Sequence, residues 1–372
     1  MKKLKKKTSV EKLETFGQSV WLDYIHRDMI RSGQLRRLIE EYRVRGVTSN
    51  PAIFEKAIDG SHYYDDEISK LIGQGKNAKD IYEILTVQDV QEVADVLLPV
   101  YHETQGRDGF VSLEVSPHLA HDTNGTICDA RKLWKKVGRP NLLIKIPATA
   151  EGLAAIRQCI GEAINVNVTL IFGLPRYLEV AEAFTEGLES LLAQGKSLKQ
   201  ITSVASFFLS RIDILIDTIL EGIIKDGPNL KIAQLLHGQA AISCAKVAYQ
   251  MYKQIFGSKK FRKLADEGAR PQRLLWASTG TKNPSYNDIK YVEPLIGPQT
   301  VNTMPMETLE AYLDHGNPAS RLEDGIGEAN HLLVRLSDVG ILMDDVVHQL
   351  EEEGIQKFIR PYDNLIERLK KK

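Results

Sequence analysis

Eight short β-rich runs separated by stretches of helical periodicity constrain the fold of this chain more than any other feature. They fall at residues 20–25, 46–49, 110–115, 142–146, 166–172, 202–209, 274–277 and 301–304. Between them, apolar residues recur at helical spacing. Ala130, Leu133, Trp134 and Val137 stand at i, i+3, i+4 and i+7 and stop at Gly138, and Ala181, Phe184, Leu188 and Leu191 repeat the stripe ahead of Gly195. Strands that alternate with helices are parallel, because each crossover carries the chain back along the sheet. Eight such units close into a (β/α)8 barrel, so the expected fold class is α/β, a TIM barrel with extra helices. Residues 54–105 have room for more than one helix, and residues 320–372 are expected to add a C-terminal helical extension.

No Pro-, Gly- or Ser-rich tract divides the 372 residues. One barrel domain is therefore expected over residues 16–372, preceded by a basic, disordered tail at residues 1–15, where Lys2, Lys3, Lys5, Lys6 and Lys7 crowd together. Hydrophobic content of 43%, charged content of 26% and a net charge of -1 describe an ordinary globular protein, with nothing global to attract nucleic acid. No apolar run follows the basic tail, and none along the chain has the length of a membrane span. Cys128, Cys159 and Cys244 are widely separated and lack CxxC spacing, so a reducing, cytoplasmic setting with buried thiols is expected. Neither GxxxxGK[ST] nor GxGxxG occurs, nor a GxSxG elbow, which leaves nucleotide cofactors without motif support. His118 and His121 lie three apart, but without HExxH or a third ligand no metal site is expected. Trp21, Trp134 and Trp276 sit in apolar patterns and read as core.

Lys145 is the exception inside the apolar run Leu142-Leu143-Ile144-Lys145-Ile146-Pro147. In a strand, Leu142, Ile144 and Ile146 share one face, while Leu143 and Lys145 share the other. Removal from water disfavours an ammonium, and the free amine is the form that adds to a carbonyl to make a Schiff base. A structural carboxylate partner is the alternative. Barrel active sites lie at the carboxyl ends of the strands, and polar residues recur there. Asp23 is in the first run, Thr48-Ser49-Asn50 ends the second and Glu114 lies in the third. Asn167 and Thr169 are in the fifth, Ser206 with nearby Arg211 marks the sixth, and Ser278-Thr279 follows the seventh. A polar residue on almost every strand is hard to explain by packing alone.

Gly46-Val47-Thr48-Ser49-Asn50-Pro51-Ala52-Ile53-Phe54 resembles the first signature of the transaldolase family. Leu142-Leu143-Ile144-Lys145-Ile146-Pro147-Ala148-Thr149-Ala150-Glu151-Gly152-Leu153 resembles the second, which surrounds a Schiff-base lysine. The likeness extends through Asn165-Val166-Asn167-Val168-Thr169-Leu170, Ser206-Phe207-Phe208-Leu209-Ser210-Arg211 and Trp276-Ala277-Ser278-Thr279-Gly280-Thr281-Lys282-Asn283-Pro284. It is strongest to the longer bacterial members, which carry a C-terminal extension. The resemblance implies cofactor-independent transfer of a dihydroxyacetone unit between sugar phosphates of the non-oxidative pentose phosphate pathway. The donor would be sedoheptulose 7-phosphate or fructose 6-phosphate, and the acceptor glyceraldehyde 3-phosphate or erythrose 4-phosphate. No metal or other cofactor, nucleic acid or membrane partner is implied, and monomer and homodimer both remain open.

Carried over by motif, the resemblance makes Lys145 the nucleophile, Glu114 the acid-base group acting through a water and Asp23 the base for the C4 hydroxyl. Thr169 and Ser206 would orient the water, Thr48 would support the site, and Asn50 and Asn167 would bind donor hydroxyls. Arg211, Ser278 and Lys282 would hold phosphate. Here the chain departs from members with an arginine soon after the serine of the fifth motif, and Lys282 brings charge without a bidentate fork. An ion pair from Arg211 to Asp213 is the competing structural reading. Fructose 6-phosphate aldolase-like release of dihydroxyacetone is the alternative activity. Phe208 argues against it, since those aldolases resemble one another in a tyrosine there and are much shorter. A pyridoxal phosphate barrel and a non-catalytic binding module fit the combination of Asp23, Glu114 and Lys145 less well.

Overall fold

The computed structural model describes residues 7–226 and 229–372. Eight strands close into one barrel in chain order: β1 (Gln18–Asp23), β2 (Val44–Thr48), β3 (Phe110–Glu114), β4 (Leu142–Pro147), β5 (Val166–Ile171), β6 (Ser203–Phe208), β7 (Arg273–Ala277) and β8 (Thr300–Met304). All neighbours are parallel, and β8 returns to pair with β1. Apart from Asp23 and Glu114 at their ends, the strand residues are buried, because helices cover the outer face and side chains fill the inside. Each expected run overlaps one of these strands. The first ends at Asp23 rather than residue 25, which sets Asp23 at the barrel mouth instead of inside the strand.

α1 (Ser9–Thr15) precedes β1, and α2 (Arg27–Arg31) and α3 (Gln34–Tyr42) link β1 to β2. α4 (Pro51–Asp59), α5 (Asp65–Gly73) and α6 (Ala78–Glu103) fill the long link to β3, as its length implied. α7 (Thr123–Val137), α8 (Ala150–Gly161) and α9 (Leu174–Ala193) serve the next three crossovers. α10 (Ser210–Asp226), α11 (Leu230–Leu236), α12 (Ala240–Phe256) and α13 (Lys259–Asp266) lie between β6 and β7. The β7–β8 link breaks the alternation: apart from a 3-10 turn at Glu293–Leu295 it is irregular, with Pro284, Pro294 and Pro298 interrupting any helix. After β8 come α14 (Met306–His315), α15 (Ile326–Arg335) and α16 (Met343–Lys371), the C-terminal extension. Among the described residues, no helix is long and apolar enough to cross a membrane.

Local chemistry explains the boundaries that matter for the site. Asn50 accepts a hydrogen bond from the Ile53 amide and Pro51 follows it, so β2 hands over directly to α4. Thr149 caps α8 through the Gly152 amide just beyond the lysine-bearing strand. Gly138 ends α7 in the left-handed region, with its N–H bonded to the Trp134 carbonyl. At the barrel floor, Asp108 accepts from Ser19, Trp21 and Arg273. The Trp21 indole lies flush on Gly46, where a Cβ would come within 2.5 Å of the ring.

Three expectations are corrected. The expected disordered tail is helical over Ser9–Thr15, because Thr8 and Glu11 form a capping box and Val10 and Leu13 are buried. So short a stripe among charged residues leaves little periodic signal, and Lys2, Lys3, Lys5 and Lys6 lie outside the described residues. Cys128 is exposed on α7, unlike buried Cys159 and Cys244. Trp134 is only half-buried, whereas Trp21 and Trp276 are core.

Candidate active site

Lys145 is 4% exposed and stands on β4 beside Glu114 of β3, its register partner across the parallel pair. Its Nζ donates to the Ser49 carbonyl at 2.7 Å and lies 2.8 Å from Glu114 Oε1. Ser49 also donates to Glu114 Oε2 at 3.0 Å, so the first and second sequence motifs meet at one amine. The Phe358 ring of α16 has its centroid 5.7 Å from the Lys145 nitrogen. Burial pushes the Glu114 carboxyl above the usual glutamate range, while Lys145 and the hydrogen bonds pull it back. Lys145 therefore has the structural carboxylate partner that was the competing reading, but the pair opens onto a cavity.

That cavity, about 420 Å³ at the carboxyl ends of the strands, is lined by Asp23, Thr48, Asn50, Lys145, Ser206 and Phe208 in its inner part. Asp23 accepts from Thr48 at 2.6 Å, and Thr48 accepts in turn from Thr303 at 2.7 Å, a relay that fixes the carboxylate across β8, β2 and β1. Burial raises the Asp23 pKa, opposed by Lys145, the Thr48 hydrogen bond, Arg211 and Lys282. A carboxyl so placed exchanges protons closer to neutrality than an ordinary aspartate. Asn50 spends its carbonyl oxygen on the cap of α4 and presents its amide nitrogen as the free donor.

A second, small cavity of about 20 Å³ lies between Glu114, Lys145, Thr169, Ile355 and Phe358. Its size suits a single water. Thr169 Oγ1 is buried with no hydrogen-bond partner, and Glu114 Oε1 meets Lys145 without an aligned hydrogen bond. Ser206 lines the main cavity rather than this one. Its hydroxyl donates to Asn167 Oδ1 at 2.7 Å. Asn167, the register partner of Lys145 on β5, donates to Ser112 of β3 at 3.0 Å, so its amide bridges two strands on either side of the lysine-bearing strand.

The outer part of the main cavity is cationic. Arg211, Ser278 and Lys282 line it together with Ser210, Lys56 and Lys357. Arg211 is at the start of α10, where amide groups also point outward. Its Nη1 is buried without a partner, burial lowers its pKa, and its guanidinium carbon lies 5.3 Å from the Phe208 ring centroid. The competing ion pair to Asp213 does not form: Asp213 is taken by Lys290 at 3.0 Å, Tyr291 and the Ala241 amide. Ser278 adopts φ +55, an uncommon conformation for a residue with a side chain, and meets Ser210 through its hydroxyl at 2.9 Å.

Among the polar and aromatic lining residues, the sequence assigns no role to Thr303, Ser210, Lys56, Lys357 and Phe358, and it singles out Ser49 only as a polar strand-end residue. Ser49 lies inside the first motif, and Thr303 follows Asn302 at the end of a strand with three polar residues of five, so both left a signal. Lys357 and Phe358 left none, because the apolar stripe of their helix announces packing but not its partner, and they lie more than 200 residues from Lys145 in sequence. His118 pairs with Asp363 at 2.7 Å and His121 with Glu151 at 3.2 Å, and no metal-holding group occurs among the described residues.

The family model described as Transaldolase/Fructose-6-phosphate aldolase matches residues 20–369. A protein named Transaldolase from Trichodesmium erythraeum is 46% identical over 97% of this chain and 96% of its own length. Another of that name from Saccharopolyspora erythraea is also 46% identical, over 97% of this chain and 96% of its own. A third, from Acidothermus cellulolyticus, is 47% identical over 93% of this chain and 92% of its own. A match of this extent, on a closed barrel with a buried lysine at its mouth, shows that the chain belongs to the transaldolase/fructose-6-phosphate aldolase family.

Proposed function

We propose that this protein is a transaldolase, moving a dihydroxyacetone unit between sugar phosphates through a Schiff base on Lys145. The observation that carries the reading is one buried amine between two carboxyl groups, with a cationic region at the outer end of the same cavity. The amine adds to the C2 carbonyl of sedoheptulose 7-phosphate or fructose 6-phosphate. Glu114, through a water held with Thr169, gives the proton with which the carbinolamine loses water to become an iminium. Asp23 takes the proton from the C4 hydroxyl, the C3–C4 bond breaks, and its electrons pass into the iminium to form an enamine. The aldose phosphate leaves. The enamine then attacks the aldehyde carbon of glyceraldehyde 3-phosphate or erythrose 4-phosphate, and Asp23 returns its proton to the new hydroxyl. Addition of water frees the product ketose and the lysine.

Asn50 contributes a donor to the ketose hydroxyls, Thr48 orients Asp23, and Arg211, Ser278 and Lys282 hold the phosphate. Ser206 and Asn167 support the wall between β5 and β6. Sugar phosphates are the partners in this reading, no cofactor takes part, the setting is cytoplasmic, and monomer and homodimer both accommodate it. The second reading is aldol release, as in fructose 6-phosphate aldolase. Phe208 favours transfer, since its ring packs against Phe172 and brings no hydroxyl to the cavity. The test is to supply fructose 6-phosphate with and without erythrose 4-phosphate and follow sedoheptulose 7-phosphate and free dihydroxyacetone. Transfer that depends on the acceptor supports the reading, and dihydroxyacetone as the main product in both reactions overturns it.

A further inference from the structure

We propose that Lys357, on the C-terminal helix, is a specificity-determining residue that reads substrate phosphate together with Arg211. The inference rests on the transaldolase reading and adds to it a phosphate contact outside the strand-end motifs. Lys357 lines the cavity that also holds Arg211, Ser278 and Lys282. Five cations line this cavity, Lys56, Lys145, Arg211, Lys282 and Lys357, against a single carboxylate, Asp23. Lys145 already has Glu114 as its counter-charge. The remaining positive charge is therefore offset only in part unless an anion enters.

The partner of Lys357 is weak. Its Nζ lies 3.1 Å from Glu353, one turn earlier on α16, and both side chains are about half exposed, at 51% and 42%. A solvent-exposed i, i+4 pair of this kind is readily exchanged. Glu353 also feels the charge of Arg211. It thus offers Lys357 a carboxylate where a substrate phosphate would bind, while its other oxygen accepts from Gln349 at 2.9 Å. A substrate phosphate between Arg211 and Lys357 displaces Glu353 and links α16 to α10 across the mouth. The flexible ammonium suits this task, since it can swing from carboxylate to phosphate without the fixed geometry that a guanidinium demands.

The test compares Lys357→Gln and Lys357→Met with the unaltered enzyme, using fructose 6-phosphate and, as the donor without phosphate, dihydroxyacetone. KM for fructose 6-phosphate is expected to rise about tenfold, as for loss of one charge-assisted contact, with kcat changed by less than about twofold. KM for dihydroxyacetone should not move. Glu353→Gln, which removes the competitor, should lower KM for fructose 6-phosphate about two- to threefold, and tighten inhibition by inorganic phosphate in step. An equal rise for both donors, no rise, or a KM unchanged or raised in Glu353→Gln overturns the proposal. Borohydride trapping of dihydroxyacetone on Lys145 needs no phosphate. Its loss in the unaltered enzyme would indict the Schiff-base reading instead.

Discussion

At the scale of single residues, the site depends on carboxyl groups held where water would rather solvate them. Asp23 makes the cost measurable. Burial raises its pKa, so the folded protein holds the Asp23 proton more tightly than the unfolded chain does. Stability from this group is then greatest below the ordinary aspartate value near 3.8 and is lost as pH rises through the folded value. At neutral pH the ionised carboxylate destabilises the fold. Asp23→Asn, which can still accept from Thr48, should therefore raise the melting temperature at neutral pH, with a margin that shrinks on acidification. It should also lower carbon–carbon cleavage by about a hundred- to ten-thousand-fold while leaving covalent trapping on Lys145 intact. A variant that is no more stable at neutral pH, or one that has lost trapping, contradicts this account of Asp23. The identities of Asp23, Glu114 and Lys145 were legible because a charged residue inside an apolar run needs a reason. The true partners of Ser206 and Asn167 were not, since a strand pattern gives the face of a side chain but not which neighbour claims its hydrogen bond.

At the scale of elements, strand position and helix position differ in how openly they are written. Most strands are apolar runs bounded by turn residues, and no end shifts by more than two residues between pattern and structure, the two-residue shifts falling at both ends of β1 and at the start of β2. Gly46 shows how tightly β1 and β2 fit: with Trp21 lying against its α-carbon, Gly46→Ala should destabilise the protein by about 1–3 kcal/mol in urea unfolding. A change below about 0.5 kcal/mol would mean that the indole moves aside freely. The position of α16 in the chain allows it to cover the barrel mouth, but which of its residues face the site was not legible. Its apolar stripe announces packing, yet only the closed barrel brings it against α4, α6, α10 and the end of β5, with Phe358 over Lys145. Phe358→Ala should admit water to the enamine and raise free dihydroxyacetone relative to transferred product several-fold. An unchanged product ratio, measured by chromatography of the quenched reaction, would remove the shielding role from this helix.

Across the whole molecule, a nearly neutral chain concentrates positive charge at one end of one cavity. The net charge of -1 says nothing of this, because composition averages over a surface whose other charges pair locally. Raising ionic strength from about 0.01 to 0.15 M shortens the Debye length from about 30 to 8 Å, so KM for phosphorylated substrates should rise several-fold. Dihydroxyacetone as donor should be nearly insensitive, and equal sensitivity of both would argue against a phosphate-directed field. Topology was the most legible property of all, since eight alternating units admit few closures, and the β7–β8 link, which holds no α-helix, shows where prolines override that alternation. What the whole fold achieves is to bring Ser49 just after β2, Glu114 of β3 and Phe358 of α16 around one amine. The direct measurement is to incubate the protein with fructose 6-phosphate, reduce with borohydride and map the modified peptide by mass spectrometry. A dihydroxyacetone- or hexose phosphate-derived adduct on Lys145 is expected, absent from Lys145→Arg, and an adduct on another lysine, or turnover retained by Lys145→Arg, would contradict the account.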